Sequence, residues 1–194
     1  MKGGDFMAEG WEALEAKCKE CKKCRLCEGR RNVVFGTGNK NAKIMFVGEG
    51  PGEDEDREGE PFVGKSGQLL DKYLNFFGFD RGDNVYIANI VKCRPPKNRD
   101  PLEDEAEICI EYLRQQVRLI RPQIIVCLGR VAAIRLIKED FRVTKEHGEF
   151  FEKKGVYMVG TFHPSALLRT PSNKIKAFED FQKIRDKAKE LGIV

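Results

Sequence analysis

The chain has 194 residues, of which 34% are charged, and its formal net charge is only +4. This length suits one domain with a sizeable core, and the near balance of charges excludes a polycation while permitting nucleic-acid binding. The N-terminal residues contain no apolar signal-peptide core, and the chain contains no run of about 18 apolar residues, so we expect no membrane association. We expect a cytoplasmic monomer that forms a single domain over residues 1–194.

The first unusual segment is KCKECKKCRLCEGRR, residues 17–31, in which four cysteines and seven basic residues alternate. Three further cysteines follow at Cys93, Cys109 and Cys127. Seven cysteines are an odd number, and without a secretory signal they indicate reduced thiols rather than a disulfide framework. Repeated Cys-x-x-Cys spacing is typical of metal binding.

Four apolar runs rich in Val and Ile predict strands, and they lie at residues 43–48, 84–93, 123–129 and 156–162. Several are continuous rather than alternating, as expected for strands buried on both faces. Helical patterns lie between and after them, from Ser66 to about Phe77, and over residues 103–120, 129–137 and 174–191. Strands that alternate with helices predict a three-layer α/β/α fold with a central four-stranded parallel sheet. In such sheets the ligand site lies beyond the carboxyl ends of the strands.

The segment after the first predicted strand is rich in glycine, with Gly48, Gly50 and Gly52 closely spaced. A dinucleotide-binding loop is the weaker interpretation, because such a loop leads into a helix whose N-terminus binds phosphate. Here six carboxylates follow within residues 53–60 and would repel phosphate, so we predict a loop. Phe62, in the same segment, is either a core residue or a stacking platform.

Polar residues also follow the other predicted strands. Asn89 lies within an apolar run, where it is either a satisfied structural amide or a reader of a base edge. Pro95 and Pro96 predict an extended basic segment, which either follows a phosphate backbone or is a solvated loop. His163 follows the fourth strand and should face the ligand, whereas His147 is predicted at the surface.

Four motifs lie at these strand ends and beside them: GEGPG (48–52), EPFVGKSGQLL (60–70), NIVKCRPPKNRDP (89–101) and HPSALLR (163–169). Together they resemble the family 4 uracil-DNA glycosylases, the iron–sulfur branch of their superfamily. The resemblance runs from about Cys21 to the C-terminal helix and implies a uracil-DNA glycosylase-like fold. It also implies a monofunctional enzyme that excises uracil from single- or double-stranded DNA and so initiates base excision repair. A related branch has a basic, His-containing insertion after the first motif, which this chain lacks, so we expect ordinary turnover.

The resemblance also implies roles for individual residues. Uracil would lie between the loop of Glu49, Gly50 and Pro51 and the ring of Phe62, with Asn89 and His163 at its polar edges. Glu49 and His163 would be catalytic, His163 by stabilising the departing uracil and Glu49 by orienting water or stabilising the sugar cation. Glu55 and Asp56 are secondary candidates. The DNA contacts would come from Arg94, Arg169 and an apolar wedge of Leu167 and Leu168, although two such leucines are normally part of a helix core.

The family holds a [4Fe–4S] cluster with an N-terminal Cys-x-x-Cys pair and two later cysteines. The later pair matches Cys93 and Cys109, and the register of the flanking residues favours Cys21 and Cys24 as the first pair. Cys18 and Cys27 are then surplus, which departs from the family pattern, and Cys127 is predicted to be a buried core residue. A ferredoxin-like run and a Cys₄ zinc site remain alternatives. The alternative function is a non-catalytic DNA-binding module that holds iron–sulfur or zinc.

Overall fold

The structure is a computed structural model that describes residues 10–194. Residues 1–9 of the predicted single domain lie outside the described residues. No helix in the described part is both long and apolar enough to cross a membrane.

The sheet of residues 10–194 has six strands in the order β1-β3-β2-β4-β6-β5. Their bounds are β1 Thr37–Gly38, β2 Ile44–Gly48, β3 Val85–Asn89, β4 Ile124–Leu128, β5 Phe150–Lys153 and β6 Val156–Thr161. The four central strands, β3, β2, β4 and β6, are parallel and correspond to the four predicted runs. The predicted parallel core is therefore confirmed.

The prediction of only four strands was wrong, because two antiparallel strands extend the sheet at its edges. Strand β1 pairs with β3, and β5 pairs with β6. Strand β1 has only two residues, too few to show any periodicity. Strand β5 is half exposed, and its sequence FFEK lacks the continuous apolar character of the buried strands.

Helices cover the sheet and connect its strands. Within residues 10–194 the α-helices are α1 Trp11–Lys19, α2 Leu26–Gly29, α3 Glu53–Glu58, α4 Lys65–Phe76, α5 Glu103–Ile120, α6 Arg130–Leu136, α7 Val143–Glu146, α8 Pro164–Arg169 and α9 Lys174–Glu190. Helices α4, α5, α6 and α9 match the predicted helical patterns. Helix α3 was not predicted: the acidic run expected to be a loop forms a short helix, with Gly52 at its N-cap. Carboxylates in a first turn interact favourably with the helix dipole, which offsets their mutual repulsion.

Alternate residues of each central strand enter two separate cores. In β2, Met45 and Val47 pack with residues of α1, α5 and α6, whereas Ile44 and Phe46 pack with residues of α4 and α9. Because successive side chains of a strand point to opposite faces, this division places helices on both sides of the sheet. The three-layer α/β/α architecture is thus present.

The strand register brings the ends of the parallel strands to one edge. Gly48 at the end of β2 pairs with Asn89 at the end of β3, and Leu128 of β4 pairs with Thr161 of β6. The ladder between β2 and β3 continues past the strands, since Val91 donates its backbone N–H to the carbonyl of Glu49 at 3.1 Å. Residues that follow these strands therefore converge at the same edge.

Candidate active site

A cavity of about 780 Å³ opens at the carboxyl edge of the sheet. It brings together seven of the predicted site residues: Glu49, Gly50, Pro51, Phe62, Asn89, His163 and Arg169. These residues come from four separate segments of the chain. They meet because of their places along the sheet: residues 49–51 follow β2, Asn89 ends β3, and His163 and Arg169 follow β6. Phe62 lies in the connection between β2 and β3.

Asn89 supplies an unsatisfied polar group to this cavity. Its side chain is 1% exposed, and its Oδ1 is the one buried side-chain N or O atom of residues 10–194 that has no hydrogen-bond partner. A buried acceptor without a partner costs about 1–3 kcal/mol. Gly48, the partner of Asn89 in the neighbouring strand, keeps the space beside this atom open. A Cβ at Gly48 would lie 2.5 Å from this Oδ1 and 2.6 Å from the Phe62 ring. The amide is therefore positioned to accept a hydrogen bond from a ligand.

Phe62 forms a wall of the cavity and is held in an unusual backbone conformation. Its φ is 56°, in the left-handed region that non-glycine residues rarely adopt. The guanidinium of Arg81 donates to the carbonyls of Pro61 at 3.0 Å and Phe62 at 3.1 Å, and it is itself held by Asp71 at 3.1 Å. A Cβ at Gly67 would overlap the Phe62 carbonyl. Such strain persists only where the surroundings enforce it, and here it fixes the ring that faces the site.

Glu55 ties the two loops of the cavity together. Its carboxylate accepts backbone N–H bonds from Gly52, Val63 and Gly64, each at 3.0 Å. Asp56, only 2% exposed, similarly accepts from the backbone of Arg31 at 2.9 Å. These two carboxylates, considered above as secondary catalytic candidates, are thus occupied by backbone donors.

His163 enters the cavity as a neutral ring with a defined tautomer. Burial, and secondarily the charge of Arg169, lower the pKa of His163 to about 4. Its Nδ1 accepts the backbone N–H of Ser165 at 3.2 Å, so the neutral ring carries its proton on Nε2. The ring lies 5.6 Å from the Phe62 ring, centroid to centroid. His163 therefore presents a neutral N–H donor beside the aromatic wall.

Glu49 is a half-buried carboxyl with a strongly perturbed protonation equilibrium. Burial raises the pKa of Glu49 to about 7, and the charge of Asp100 and a hydrogen bond with it add to this effect. Arg130 and Arg169 act in the opposite direction. A carboxyl with a pKa near neutrality can take up a proton during a reaction at neutral pH.

The four predicted DNA-contact residues are placed differently from one another. Arg169 is exposed and lines the cavity. Arg94 is away from the cavity lining, and its guanidinium donates to Asn98 at 2.8 Å. Leu167 is 2% exposed and packs in a small core, whereas Leu168 on the same helix is 43% exposed. The predicted wedge of two leucines needs correction, because Leu167 does not reach the surface.

A second, small cavity contains the clustered thiols. It is lined by six cysteines, Cys18, Cys21, Cys24, Cys27, Cys93 and Cys109. Two of their sulfur atoms accept hydrogen bonds at 3.2 Å: Cys93 from the guanidinium of Arg30, and Cys109 from the backbone N–H of Lys92. Burial raises the pKa values of Cys18 and Cys109 to about 12. Cys127 is fully buried in β4 and does not line this cavity, as predicted for a core residue.

The donor set of this cavity fits an iron–sulfur cluster. Such clusters are held by four thiolates, and hydrogen bonds to their sulfur atoms tune them. Among residues 10–194, no three His, Cys, Asp or Glu side chains are arranged to hold a single metal ion. The geometry offers more thiols than the four required and does not distinguish Cys21 and Cys24 from Cys18 and Cys27.

Comparisons with known proteins show the family of the chain. The model of the Uracil DNA glycosylase superfamily matches residues 35–189. The chain belongs to the uracil-DNA glycosylase superfamily. A type-4 uracil-DNA glycosylase of Archaeoglobus fulgidus is 43% identical over 184 residues, covering 89% of this chain and 92% of that protein. One from Thermotoga maritima is 44% identical over 167 residues, covering 84% of this chain and 86% of that protein.

These relatives place the chain in the type-4 branch of the superfamily, which confirms the resemblance found in the motifs. A type-5 uracil-DNA glycosylase of Pyrobaculum aerophilum is more distant, at 36% identity over 146 residues.

Several residues of the active-site cavity were not predicted from the sequence. Asp100 and Arg130 line the cavity, and Arg81 holds its Phe62 wall. Asp100 and Arg130 had a positional signal, because they lie after the second and third predicted strands and so near the ligand edge. Arg81 had no such signal.

Proposed function

We propose that the protein excises uracil from DNA by hydrolysing the N-glycosidic bond, as a monofunctional enzyme of base excision repair. The observation that carries this proposal is the buried, unpartnered Oδ1 of Asn89 beside the ring of Phe62, whose backbone is held at a positive φ. A cavity of this kind suits a planar ligand that stacks on an aromatic ring and donates one hydrogen bond. A uracil flipped out of DNA meets both requirements.

Asn89 would read the base through both atoms of its amide. Its Oδ1 accepts from the N3–H of uracil and its Nδ2 donates to O4. Cytosine presents the reverse pattern, an acceptor at N3 and a donor at N4, so both contacts would become repulsive. Mismatched polar groups in a buried site discriminate strongly between ligands. Stacking on Phe62 adds roughly 1–3 kcal/mol, with little dependence on the base.

His163 would stabilise the leaving group. When the bond from C1′ to N1 breaks, its electron pair remains on uracil and the sugar becomes cationic. The Nε2–H of the neutral ring can donate to O2 of the developing uracil anion. A neutral donor suits this task, because it strengthens its hydrogen bond as charge develops without needing to lose a proton. Removing one donor of this type typically lowers the rate by ~10²–10³-fold.

Glu49 would orient the attacking water and accept its proton. Water adds its oxygen to C1′, and one of its protons passes to the Glu49 carboxylate. The carboxylate would also stabilise the positive charge of the sugar. The pKa of about 7 allows Glu49 to be ionised before the reaction and to hold the proton afterwards.

We further propose that Cys21, Cys24, Cys93 and Cys109 hold a [4Fe–4S] cluster. The support is the shared cavity of these thiols, the two hydrogen bonds to sulfur and the resemblance of the motifs. When bound, the cluster supplies a cross-link between the N-terminal segment, the exit of β3 and helix α5. Arg169 and Leu168 would contact the DNA, Arg169 at a phosphate beside the cavity and Leu168 in the space vacated by the flipped base.

The decisive experiment is incubation with an oligonucleotide that contains one uracil, followed by alkali to cleave the abasic site. We expect strand cleavage at uracil and none at cytosine or thymine in matched oligonucleotides. His163→Ala should lower the single-turnover rate by ~10²–10³-fold with little change in affinity, since its contact strengthens only in the transition state. Absence of cleavage by the wild-type protein with its full iron content would refute the function.

A further inference from the structure

Lys92 is a fully buried lysine whose charge the proposed reaction does not use. Its side chain is 1% exposed, and its Nζ donates to Oε1 of Gln116 at 2.7 Å. The Nζ also lies 5.9 Å from the centroid of the Phe35 ring. Within residues 10–194, no carboxylate forms an ion pair with it. A buried ammonium with only neutral partners is costly unless a nearby negative charge compensates it.

Gln116 holds the ammonium in place but cannot neutralise it. The Nε2 of Gln116 donates to the carbonyl of Phe35 at 2.9 Å and contacts the hydroxyl of Tyr86 at 3.3 Å. These contacts turn Oε1 of the amide toward Lys92. The amide is itself 0% exposed, so the contact between Gln116 and Lys92 is shielded from solvent.

The missing negative charge lies on the other side of Lys92, in the cysteine cavity. Lys92 lines that cavity, and its backbone N–H donates to Sγ of Cys109 at 3.2 Å. Burial lowers the pKa of Lys92 to about 8, and the charges of the Cys18 and Cys109 thiols act in the opposite direction. Four thiolates carry more negative charge than a [4Fe–4S] core carries positive charge, so a bound cluster has a net negative charge.

We propose that Lys92 is the buried counter-ion of the iron–sulfur cluster and a positioning residue that raises the reduction potential of the cluster. This inference rests on the cluster assigned under the proposed function. In a medium of low dielectric constant, a fixed positive charge stabilises the more negative, reduced state of the cluster. The same attraction stabilises the bound cluster against loss.

Arg30 provides an internal comparison, because it is a second cation at the same cavity in a different environment. Its guanidinium donates to Sγ of Cys93 at 3.2 Å but is partly exposed to solvent. Water screens an exposed charge far more than a buried one. Lys92 should therefore influence the cluster more strongly than Arg30.

The test compares Lys92→Met, Lys92→Arg, Gln116→Met and Arg30→Gln with the wild-type holoenzyme. Lys92→Met keeps the approximate length of the side chain and removes the charge, whereas Gln116→Met removes the hydrogen bond and leaves the charge. The readouts are iron and acid-labile sulfide per chain, circular dichroism, the rate of cluster loss to a chelator, and the midpoint potential from an anaerobic redox titration. None of these readouts depends on uracil excision.

We expect Lys92→Met to fold, to lose its cluster severalfold faster and to have a lower midpoint potential than the wild type. Gln116→Met and Arg30→Gln should show smaller shifts, and Lys92→Arg should restore the potential toward that of the wild type. If Lys92→Met fails to fold, Lys92→Gln compared with Lys92→Arg supplies the same contrast in charge. A wild-type midpoint potential in the uncharged variants would overturn the inference while leaving the cluster in place. A wild-type protein without iron and sulfide would overturn the cluster assignment as well.

Discussion

The perturbed carboxyl of Glu49 predicts how uracil excision should depend on pH. Glu49 must be ionised to accept a proton from water, and its pKa is about 7. The rate of the chemical step should therefore fall as pH decreases through about 7, by close to tenfold per pH unit below it. His163 should add no second decrease in this range, because its pKa of about 4 keeps it neutral.

Asp100→Asn should move the fall in excision rate to lower pH, and the solvent exposure of Asp100 limits the size of this shift. Two like charges about 4 Å apart repel by about 4 kcal/mol in a partly buried site and by about 1 kcal/mol in bulk water. The Asp100 side chain is 58% exposed and forms an ion pair with Arg130, so the lower value applies. That corresponds to a decrease of about one unit in the pKa of Glu49. At about pH 6 the ionised fraction should rise from about one tenth to about one half, giving about fivefold faster excision.

Single-turnover excision rates measured from about pH 5 to about pH 9 provide the assay. Asp186→Asn is the matched control, since this carboxylate lies on α9, accepts from Gln182 at 2.9 Å and does not line the cavity. Glu49→Gln should abolish the dependence altogether. If the pH profile of Asp100→Asn is unchanged while that of Glu49→Gln is flat, Asp100 does not control the pKa of Glu49. A wild-type profile without a decrease near neutrality would refute the base role of Glu49.

Three further perturbations address the pocket, the cluster and the DNA contact. Gly48→Ala places a methyl group against the uracil-binding amide and should lower the excision rate by about 10²-fold or more without altering the circular dichroism spectrum. Cys109→Ser should abolish the iron content and visible absorbance, whereas Cys127→Ser should retain both, since that thiol lies in a strand interior. Leu168→Ala should slow excision from double-stranded DNA more than from single-stranded DNA, and Ile175→Ala, an exposed residue outside the cavity lining, should affect neither.

The central strands and the convergence of the site were predictable because both follow from simple rules. Continuous Val- and Ile-rich runs specify buried parallel strands, and parallel strands bring the residues that follow them to one edge. The pattern therefore predicts that the segments of Glu49, Asn89 and His163 meet at one edge, whereas Glu49 itself was selected through the resemblance of the motifs. What the pattern did not contain is the set of contacts between segments distant in sequence, such as that of Arg81 with the carbonyl of Phe62.

His147 illustrates the same limit. A histidine between charged residues was predicted at the surface, yet its Nδ1 lies 2.8 Å from the carboxylate of Asp180, a residue that is 0% exposed. Asp180 also accepts from the hydroxyl of Thr161 at 2.6 Å. A polar residue on the inner face of a helix is apparent only once the helix is placed. The two adjacent leucines are a related case: neighbours on a helix point about 100° apart, so only one of Leu167 and Leu168 can face the core.

The acidic helix α3 explains how the cysteine segment can support the base pocket. Asp56 accepts the backbone N–H groups of Arg31 at 2.9 Å and Asn32 at 3.3 Å, at the end of the cysteine-rich segment. The adjacent Glu55 accepts from the loop that carries Phe62. One short helix therefore connects the segment that the cluster would fix to the wall on which uracil would stack. The carboxylates that argued against a phosphate loop act here as acceptors for backbone N–H groups. Loss of the cluster should consequently weaken base binding by loosening the Phe62 loop, even though no cluster atom would touch the base.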